Sequence, residues 1–256
     1  MALETRPLPA AWGETTLSAL TGDWRIIQRR QGHRYSTDDL LTAWYAAEVA
    51  GRAERVLDLG AGIGSVALMC AWLFPQARVA GVELQPMSAA MARASARLNG
   101  CQDRVRILEA DLRDETLDLP FRPFDLVTAT PPYIPLEAGV ASADPQRARA
   151  RLEYHGHVGD YARAAARTLA PGGWFVLVFL DREWRRARQA IEVAGLFCVR
   201  ERPVITRAGR VPFLRLFAAR RSQAELTVEP PLVIRDAQGD RTAEYLGVRE
   251  RMGMPP

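Results

Sequence analysis

Apolar residues in this chain fall into short, nearly unbroken runs that alternate with stretches of helical period. Val56–Leu59, Arg78–Glu83, Val105–Glu109, Phe124–Thr128 and Trp174–Leu180 have the length and composition of buried strands. Gly64–Phe74, Pro86–Leu98, Gly159–Leu169 and Arg182–Val193 predict the helices between and after them. Phe197–Arg202 and Val211–Ala219 predict two more strands around the turn signal Ala208-Gly209. Ahead of the series, Trp24–Arg30, Gln31-Gly32 and His33-Arg34-Tyr35 predict a hairpin with glycine at its turn. Ser36, Thr37, Asp38 and Asp39 offer N-cap side chains to a helix running through Leu40, Leu41 and Trp44 to about Ala50.

Strict alternation with nearly continuous apolar strands predicts an α/β fold, in which a mostly parallel, seven-stranded sheet carries helices on both faces. Three regions of one structural domain follow: a hairpin and helix over 1–50, the α/β core over 51–222, and an appended ribbon over 223–256. The ribbon reading rests on Pro230-Pro231, the strand-like Leu232–Arg235 and the polar Asp236–Asp240 turn. Ligands of such sheets bind at the carboxyl ends of the strands, near the switch in strand order. Gly60–Gly64, Glu83, Asp111 and Thr130–Tyr133 are expected to converge there.

Composition narrows the class without naming a chemistry. The chain has 256 residues, 48% hydrophobic and 25% charged, as expected of a well-packed globular domain. Met1–Thr21 lacks a basic stretch followed by an apolar one, and no apolar run approaches the roughly 18 residues of a membrane span. The expectation is a cytoplasmic protein with no membrane partner. Cys70, Cys101 and Cys198 are odd in number and scattered, which supports neither a disulfide framework nor a zinc site. All 34 basic residues are arginine, a bias that codon usage explains before function does. Arginine nevertheless suits bidentate phosphate contacts and stacking on bases. A net charge of +4 and a pI near 9.3 lean toward a polyanionic partner.

The segment Val56-Leu-Asp-Leu-Gly-Ala-Gly-Ile-Gly64 reads as a strand breaking into a glycine-rich turn that opens a helix. Glycine at 60, 62 and 64 lets the backbone turn sharply and approach a ligand closely. Glu83 ends the second strand, where a carboxylate can accept hydrogen bonds from both ribose hydroxyls. Asp111, after the third strand, suits an acceptor for an adenine amino group. Each feature alone has a bland explanation: an ordinary strand-to-helix connection for the glycines, a helix cap for the acids. Their joint occurrence points to an adenosine-bearing ligand, and dinucleotide binding shares the logic. With Asp58 two residues before the first glycine, the segment resembles the class I methyltransferase signature more than the dehydrogenase one, and that resemblance implies S-adenosylmethionine.

Thr130-Pro131-Pro132-Tyr133 follows the fourth strand. The two prolines fix the backbone so that a carbonyl can stand outward as a rigid acceptor, and Tyr133 can stack on a flat ring. An amine held by two acceptors has its lone pair aimed at a methyl sulfonium, and displacement then proceeds through proximity rather than a strong base. Pro-Pro-aromatic also occurs as a plain rigid turn.

The order of hairpin, Ser36–Asp39 helix, Asp58-Leu-Gly-Ala-Gly, Val82-Glu83, Ala110-Asp111, Phe124-Asp-Leu, Pro-Pro-Tyr133, Gly172-Gly173 and Leu232-Val-Ile-Arg235 resembles the bacterial tRNA adenine-N6-methyltransferase family that acts on valine tRNA beside the anticodon. The likeness spans about Arg29 to Tyr245. It implies a Rossmann-like class I methyltransferase fold, S-adenosylmethionine as cofactor and structured RNA, in particular tRNA, as substrate. By the same likeness Arg34, Thr37 and Asp38 cover the methionine end of the cofactor, and Asp58, Gly60 and Gly62 its backbone. Glu83 with Leu84 takes the ribose, Asp111 with Leu112 the adenine, and Thr130, Pro131, Pro132 and Tyr133 form the catalytic motif. One departure matters: the family pattern looks like Asn-Pro-Pro-Tyr, and Thr130 stands where the asparagine belongs. Threonine keeps a hydroxyl but is shorter than an amide and β-branched, so it reaches less far.

Between Tyr133 and Gly159, Arg147, Arg149 and Arg151 are candidates to neutralise phosphates around an extruded nucleotide, or else form a solvated face with Glu153. His155 and His157 lack a third ligand, so no metal is expected. Arg182, Arg185, Arg186 and Arg188, behind an Asp181 N-cap, read as charged surface. A monomer is expected. Two other readings fit the same residues: a methyltransferase with a protein or small-molecule acceptor, and an RNA-binding relative that has lost turnover through Thr130. Release-factor glutamine methyltransferases also resemble Pro-Pro-Tyr enzymes, but residues 1–55 leave little room for their helical N-terminal domain.

Overall fold

The structure, a computed structural model, describes residues 8–133, 144, 146 and 156–255. Its first element is a hairpin in which β1 (Thr15–Thr21) pairs antiparallel with β2 (Trp24–Arg29), so the turn lies at Gly22-Asp23 and not at Gln31-Gly32. The reason is what comes next. Helix α1 (Thr37–Ala50) starts immediately after Ser36, whose N–H donates to Asp39 Oδ2 at 2.8 Å, so residues 30–36, a turn followed by irregular chain, serve as the connection to it. The partner strand must therefore come from the threonine-rich segment upstream.

From Arg55 onward the alternation is as the apolar pattern predicts. β3 (Arg55–Leu59), α2 (Ser65–Leu73), β4 (Arg78–Glu83), α3 (Pro86–Leu98), β5 (Val105–Glu109) and β6 (Phe124–Ala129) follow in turn. Then come α4 (Val158–Thr168), β7 (Leu169–Leu180), α5 (Trp184–Val193), β8 (Phe197–Ile205) and β9 (Leu214–Arg220). β3, β4, β5, β6 and β7 are mutually parallel, whereas β9 lies antiparallel between β7 and β8.

Several expectations are corrected toward the far edge. The ribbon expected over 223–256 adds strands to the sheet: β10 (Thr227–Val228) and β11 (Leu232–Val233) both pair in parallel with the outer side of β8, giving nine strands in place of the expected seven. An edge strand exposes a row of unpaired backbone groups, and the tail satisfies them. Val211–Phe213 stays outside the strand it was assigned to, and the tail ends in a helix, α6 (Ala243–Arg251), which the sequence reading omitted. α5 also starts later than predicted, because Asp181–Glu183 forms a 3-10 turn. Asp181 is not its N-cap; its carboxylate accepts from Arg215 Nε at 2.7 Å.

Side chains alternate faces along each strand and thereby divide the core into two layers. Val56, Val79, Leu126, Val176 and Val178 pack with α1, α2 and α3 on one side. Leu57, Ala80, Val127, Phe175, Leu177 and Phe179 pack with α4 and α5 on the other. Phe124, Phe175, Phe179 and Phe217 are fully buried, and each stabilises the fold by roughly 1.5–3 kcal/mol on transfer from water. Because both faces are covered, ligand access is confined to the strand ends.

Candidate active site

Strand register brings the predicted residues together. Leu59 of β3 pairs with Ala129 of β6 on one side and Val82 of β4 on the other, while Glu83 pairs with Glu109 of β5. The residues that continue each strand, Gly60, Thr130, Leu84 and Ala110-Asp111, therefore emerge side by side along the carboxyl edge. β3 leads outward to β4 and β5 in one direction and to β6 and β7 in the other, so this is the switch in strand order. A cleft of about 1010 Å³ opens there, lined by Arg34, Asp38, Gly60, Gly62, Glu83, Leu84, Asp111, Leu112, Thr130, Pro131, Pro132 and Tyr133.

The glycine turn is shaped by its surroundings. Gly60 has φ +67°, and a Cβ on it would stand 2.7 Å from the Tyr161 hydroxyl oxygen, so both backbone and space demand glycine. Gly62 has φ +55° and points its N–H at Glu83 Oε2, 2.9 Å away. The other oxygen, Glu83 Oε1, accepts from Gln85 N–H at 2.7 Å. Each carboxylate oxygen keeps a further lone pair for a ligand hydroxyl. Burial pushes the Glu83 pKa up, while its two backbone donors pull it back toward the ordinary value.

Two residues assigned to the cofactor stand elsewhere. Asp58 is buried behind the glycine turn and does not line the cleft. Its Oδ1 accepts from Thr128 Oγ1 at 2.8 Å and its Oδ2 from Ala67 N–H at 3.1 Å, so it ties β3 to β6 and to the first turn of α2. Burial raises its pKa to about 8, Thr128 opposing and the buried Asp39 adding to the rise. Thr37 is likewise absent from the lining, because one residue along a helix rotates a side chain by about 100° and Asp38 takes the inward position.

Other side chains arrive with partners. The Arg34 guanidinium reaches the cleft edge and donates to Thr16 Oγ1 at 2.9 Å and to the Arg29 carbonyl at 3.1 Å, which fixes the hairpin to the connection before α1. Asp111 is clasped by Arg113, whose Nη2 lies 2.6 Å from Oδ2. Tyr133 donates its hydroxyl hydrogen to Asp38 Oδ2 and meets the edge of Phe179 with ring centroids 5.8 Å apart at 86°. Its ring is thus held from α1 and from β7. Arg147, Arg149, Arg151 and His155 lie outside the described residues. His157 caps α4, accepting from Gly159 N–H through Nδ1.

The sequence reading missed several contributors to the cleft. Tyr161 of α4 backs the glycine turn, and burial raises its pKa, with Glu83 and Asp58 adding to the rise. Leu180, Arg182 and Val211-Pro212-Phe213 form the wall beyond Tyr133. No local motif marks these positions; only the pairing of β7 with β9 places them there. The arginines of α5 are partly absorbed by packing. Arg185 and Arg188 lie 4.6 and 4.4 Å from the Trp184 ring, and Arg188 also donates to the buried Glu201 at 2.7 Å. Among the described residues no group of His, Cys, Asp and Glu could hold a metal ion, and no helix is long and apolar enough to cross a membrane.

Comparison with known proteins agrees with this geometry. Residues 56–138 match a family model described as a methyltransferase domain. A tRNA1(Val) (adenine(37)-N6)-methyltransferase of Porphyromonas gingivalis is 31% identical over 85% of this chain and 87% of its own length. The protein of that name from Haemophilus influenzae is 29% identical over 87% of this chain and 92% of its own. Among solved structures, a predicted O-methyltransferase from Agrobacterium tumefaciens superposes with a TM-score of 0.62 at 23% identity, covering 85% of this chain and 98% of that one. At that identity the likeness concerns the fold.

Proposed function

The chain belongs to the family of the tRNA1(Val) (adenine(37)-N6)-methyltransferases, and on that footing we propose that it methylates N6 of the adenine at position 37 of valine tRNA. It is an S-adenosylmethionine-dependent methyltransferase of Rossmann-like fold. The observation that carries the acceptor assignment is the convergence, in one cleft, of the Gly60–Glu83 edge with the Thr130–Tyr133 turn.

The residues present fit the cofactor. Glu83 is a buried carboxylate with a spare lone pair on each oxygen, suited to two ribose hydroxyls, and Gly60 and Gly62 leave the backbone bare beside it. Asp38 and Arg34 supply opposite charges suited to the ammonium and carboxylate of a methionine end. Leu84 and Leu112 offer flat apolar walls for the adenine. When bound, S-adenosylmethionine supplies an electrophilic methyl group.

On the acceptor side, Tyr133 stacks against the substrate adenine after it leaves its own stack. Thr130 Oγ1 and the rigid Pro131 backbone accept the amine's hydrogens and direct its lone pair toward the methyl carbon. With the cofactor bound, an amine held this way would take the methyl group as the S–C bond breaks, S-adenosylhomocysteine would leave, and the amine's surplus proton would pass to water. Holding both partners at contact distance and in line supplies most of the acceleration.

The test is incubation of purified protein with labelled S-adenosylmethionine and either a valine tRNA transcript or a protein lysate, followed by nucleoside analysis. Label in N6-methyladenosine at position 37 is expected. Label in protein alone would replace the RNA reading with the second acceptor class. Cofactor binding without transfer to either would favour a relative silenced at Thr130.

A further inference from the structure

We propose that Phe213, on the β8–β9 loop, is a stacking platform for a nucleotide flanking the methylated adenine, with Arg182 of the same cleft and Arg210, three residues earlier in the loop, to take phosphates. The inference rests on the RNA reading given above and assigns a second subsite within the same cleft.

The sheet itself sets the spacing. β6 ends in the Thr130–Tyr133 turn, β7 lies next to it, and β9 lies next to β7. Leu180 at the end of β7 pairs with Leu214 at the start of β9, so the loop before β9 opens at the same edge as the catalytic turn. Two strand spacings, roughly 10 Å, therefore separate the strand bearing Tyr133 from the one that Phe213 precedes. Both residues line one continuous cleft.

Phe213 is held as a platform rather than a loose loop tip. Its N–H donates to the Val204 carbonyl at 2.9 Å, and its own carbonyl accepts from Asp181 N–H at 2.9 Å. On this anchored backbone the residue remains 53% exposed, with Val211 beside it at 82%. Apolar side chains presented to water on a fixed backbone gain nothing for folding, whereas a base has a π-face that a phenyl ring can cover. The neighbouring charge fits the same occupant. Residues 205–213 contain Arg207 and Arg210 and no acid, and the exposed Arg182 lines the cleft where β7 ends. An exposed aromatic ring that shares its cleft with Arg182 and follows the exposed Arg210 by three residues complements single-stranded RNA better than a protein side chain or a small apolar substrate.

The experiment compares wild type, Phe213→Ala and Phe213→Trp on a valine tRNA transcript, with S-adenosylhomocysteine affinity measured by calorimetry. Loss of one base–aromatic stack predicts a rise of about tenfold in KM for tRNA in Phe213→Ala. We expect kcat within about twofold of wild type, cofactor affinity unchanged, and KM restored in Phe213→Trp. An active wild type whose KM does not move in Phe213→Ala overturns the platform alone. A collapse of S-adenosylhomocysteine affinity in Phe213→Ala also overturns it, by showing that the ring supports the cleft and not the RNA. Failure of wild type to methylate tRNA overturns both this inference and the reading it rests on. Arg210→Ala supplies an independent check: the slope of log affinity against log salt falls by about 0.7 if its guanidinium displaces one counterion.

Discussion

Tyr133 donates its phenolic hydrogen to the carboxylate of Asp38, joining the turn after β6 to the first turn of α1 across the cleft that both line. The two residues come from elements 95 positions apart in the chain. Whatever positions the first turn of α1 therefore also positions the Tyr133 ring.

This link separates two roles of Tyr133. Tyr133→Phe keeps the stacking face and the edge contact with Phe179 but removes the hydroxyl. We expect a loss of about tenfold in kcat/KM, the scale of one hydrogen bond to a charged group. Tyr133→Ala removes both and is expected to cost between about tenfold and a hundredfold more, with S-adenosylhomocysteine affinity within about threefold of wild type. Steady-state kinetics with tRNA and calorimetry with the product check it. Equal activity of the Phe and Ala variants would contradict a stacking role.

Glu83→Gln tests the ribose contact. The two carboxylate oxygens accept from Gly62 and Gln85 N–H groups, and an amide can present only one oxygen, so its NH2 must face a donor. Cofactor affinity is expected to fall by roughly 10- to 100-fold, as for loss of charge-assisted hydrogen bonds. Calorimetry reporting unaltered affinity would remove Glu83 from the site.

Thr130 is short for the role its position implies. Thr130→Asn extends the acceptor by about one bond and should raise kcat on tRNA severalfold, up to about tenfold, at constant cofactor affinity. Thr130→Ala should lower kcat by a similar factor. A Thr130→Ala variant as fast as wild type would show that the hydroxyl touches nothing that reacts.

The cofactor-free protein should lose stability as pH rises from acid to mildly basic values. Burial raises the pKa of Asp39 to about 7 and of Asp58 to about 8. An unfolded carboxylate titrates near 4, so across the interval from about pH 4 to pH 8 the native state holds more protons than the unfolded one. Stability is then greatest below the unfolded value and declines as pH passes through the folded ones. Thermal melts from pH 5 to pH 9 are expected to show a falling Tm, flattened in Asp58→Asn. The asparagine oxygen can still accept from Ala67 N–H, and its amide can donate to Thr128 Oγ1. A wild-type Tm that climbs over that range would refute this account.

The chain's own pattern determined a good deal. Nearly continuous apolar runs such as Val56–Leu59 and Phe124–Thr128 have the length of strands covered on both faces, and their alternation with helices pointed to the parallel sheet and the edge where ligands gather. Gly60, Glu83, Asp111 and the Thr130–Tyr133 turn were legible because each ends or closely follows a strand, so local order along the chain maps onto position along that edge. Other features depend on contacts between segments far apart in sequence. Leu180 meets Leu214, which brings Phe213 into the cleft, and β8 is capped by a tail that alone reads as a loose ribbon. Asp58 reads from sequence as a ligand to the cofactor, yet the folded chain turns it to Thr128 and Ala67. Strand periodicity tells which face a residue takes but not which neighbour waits there; pairing across the sheet decides that.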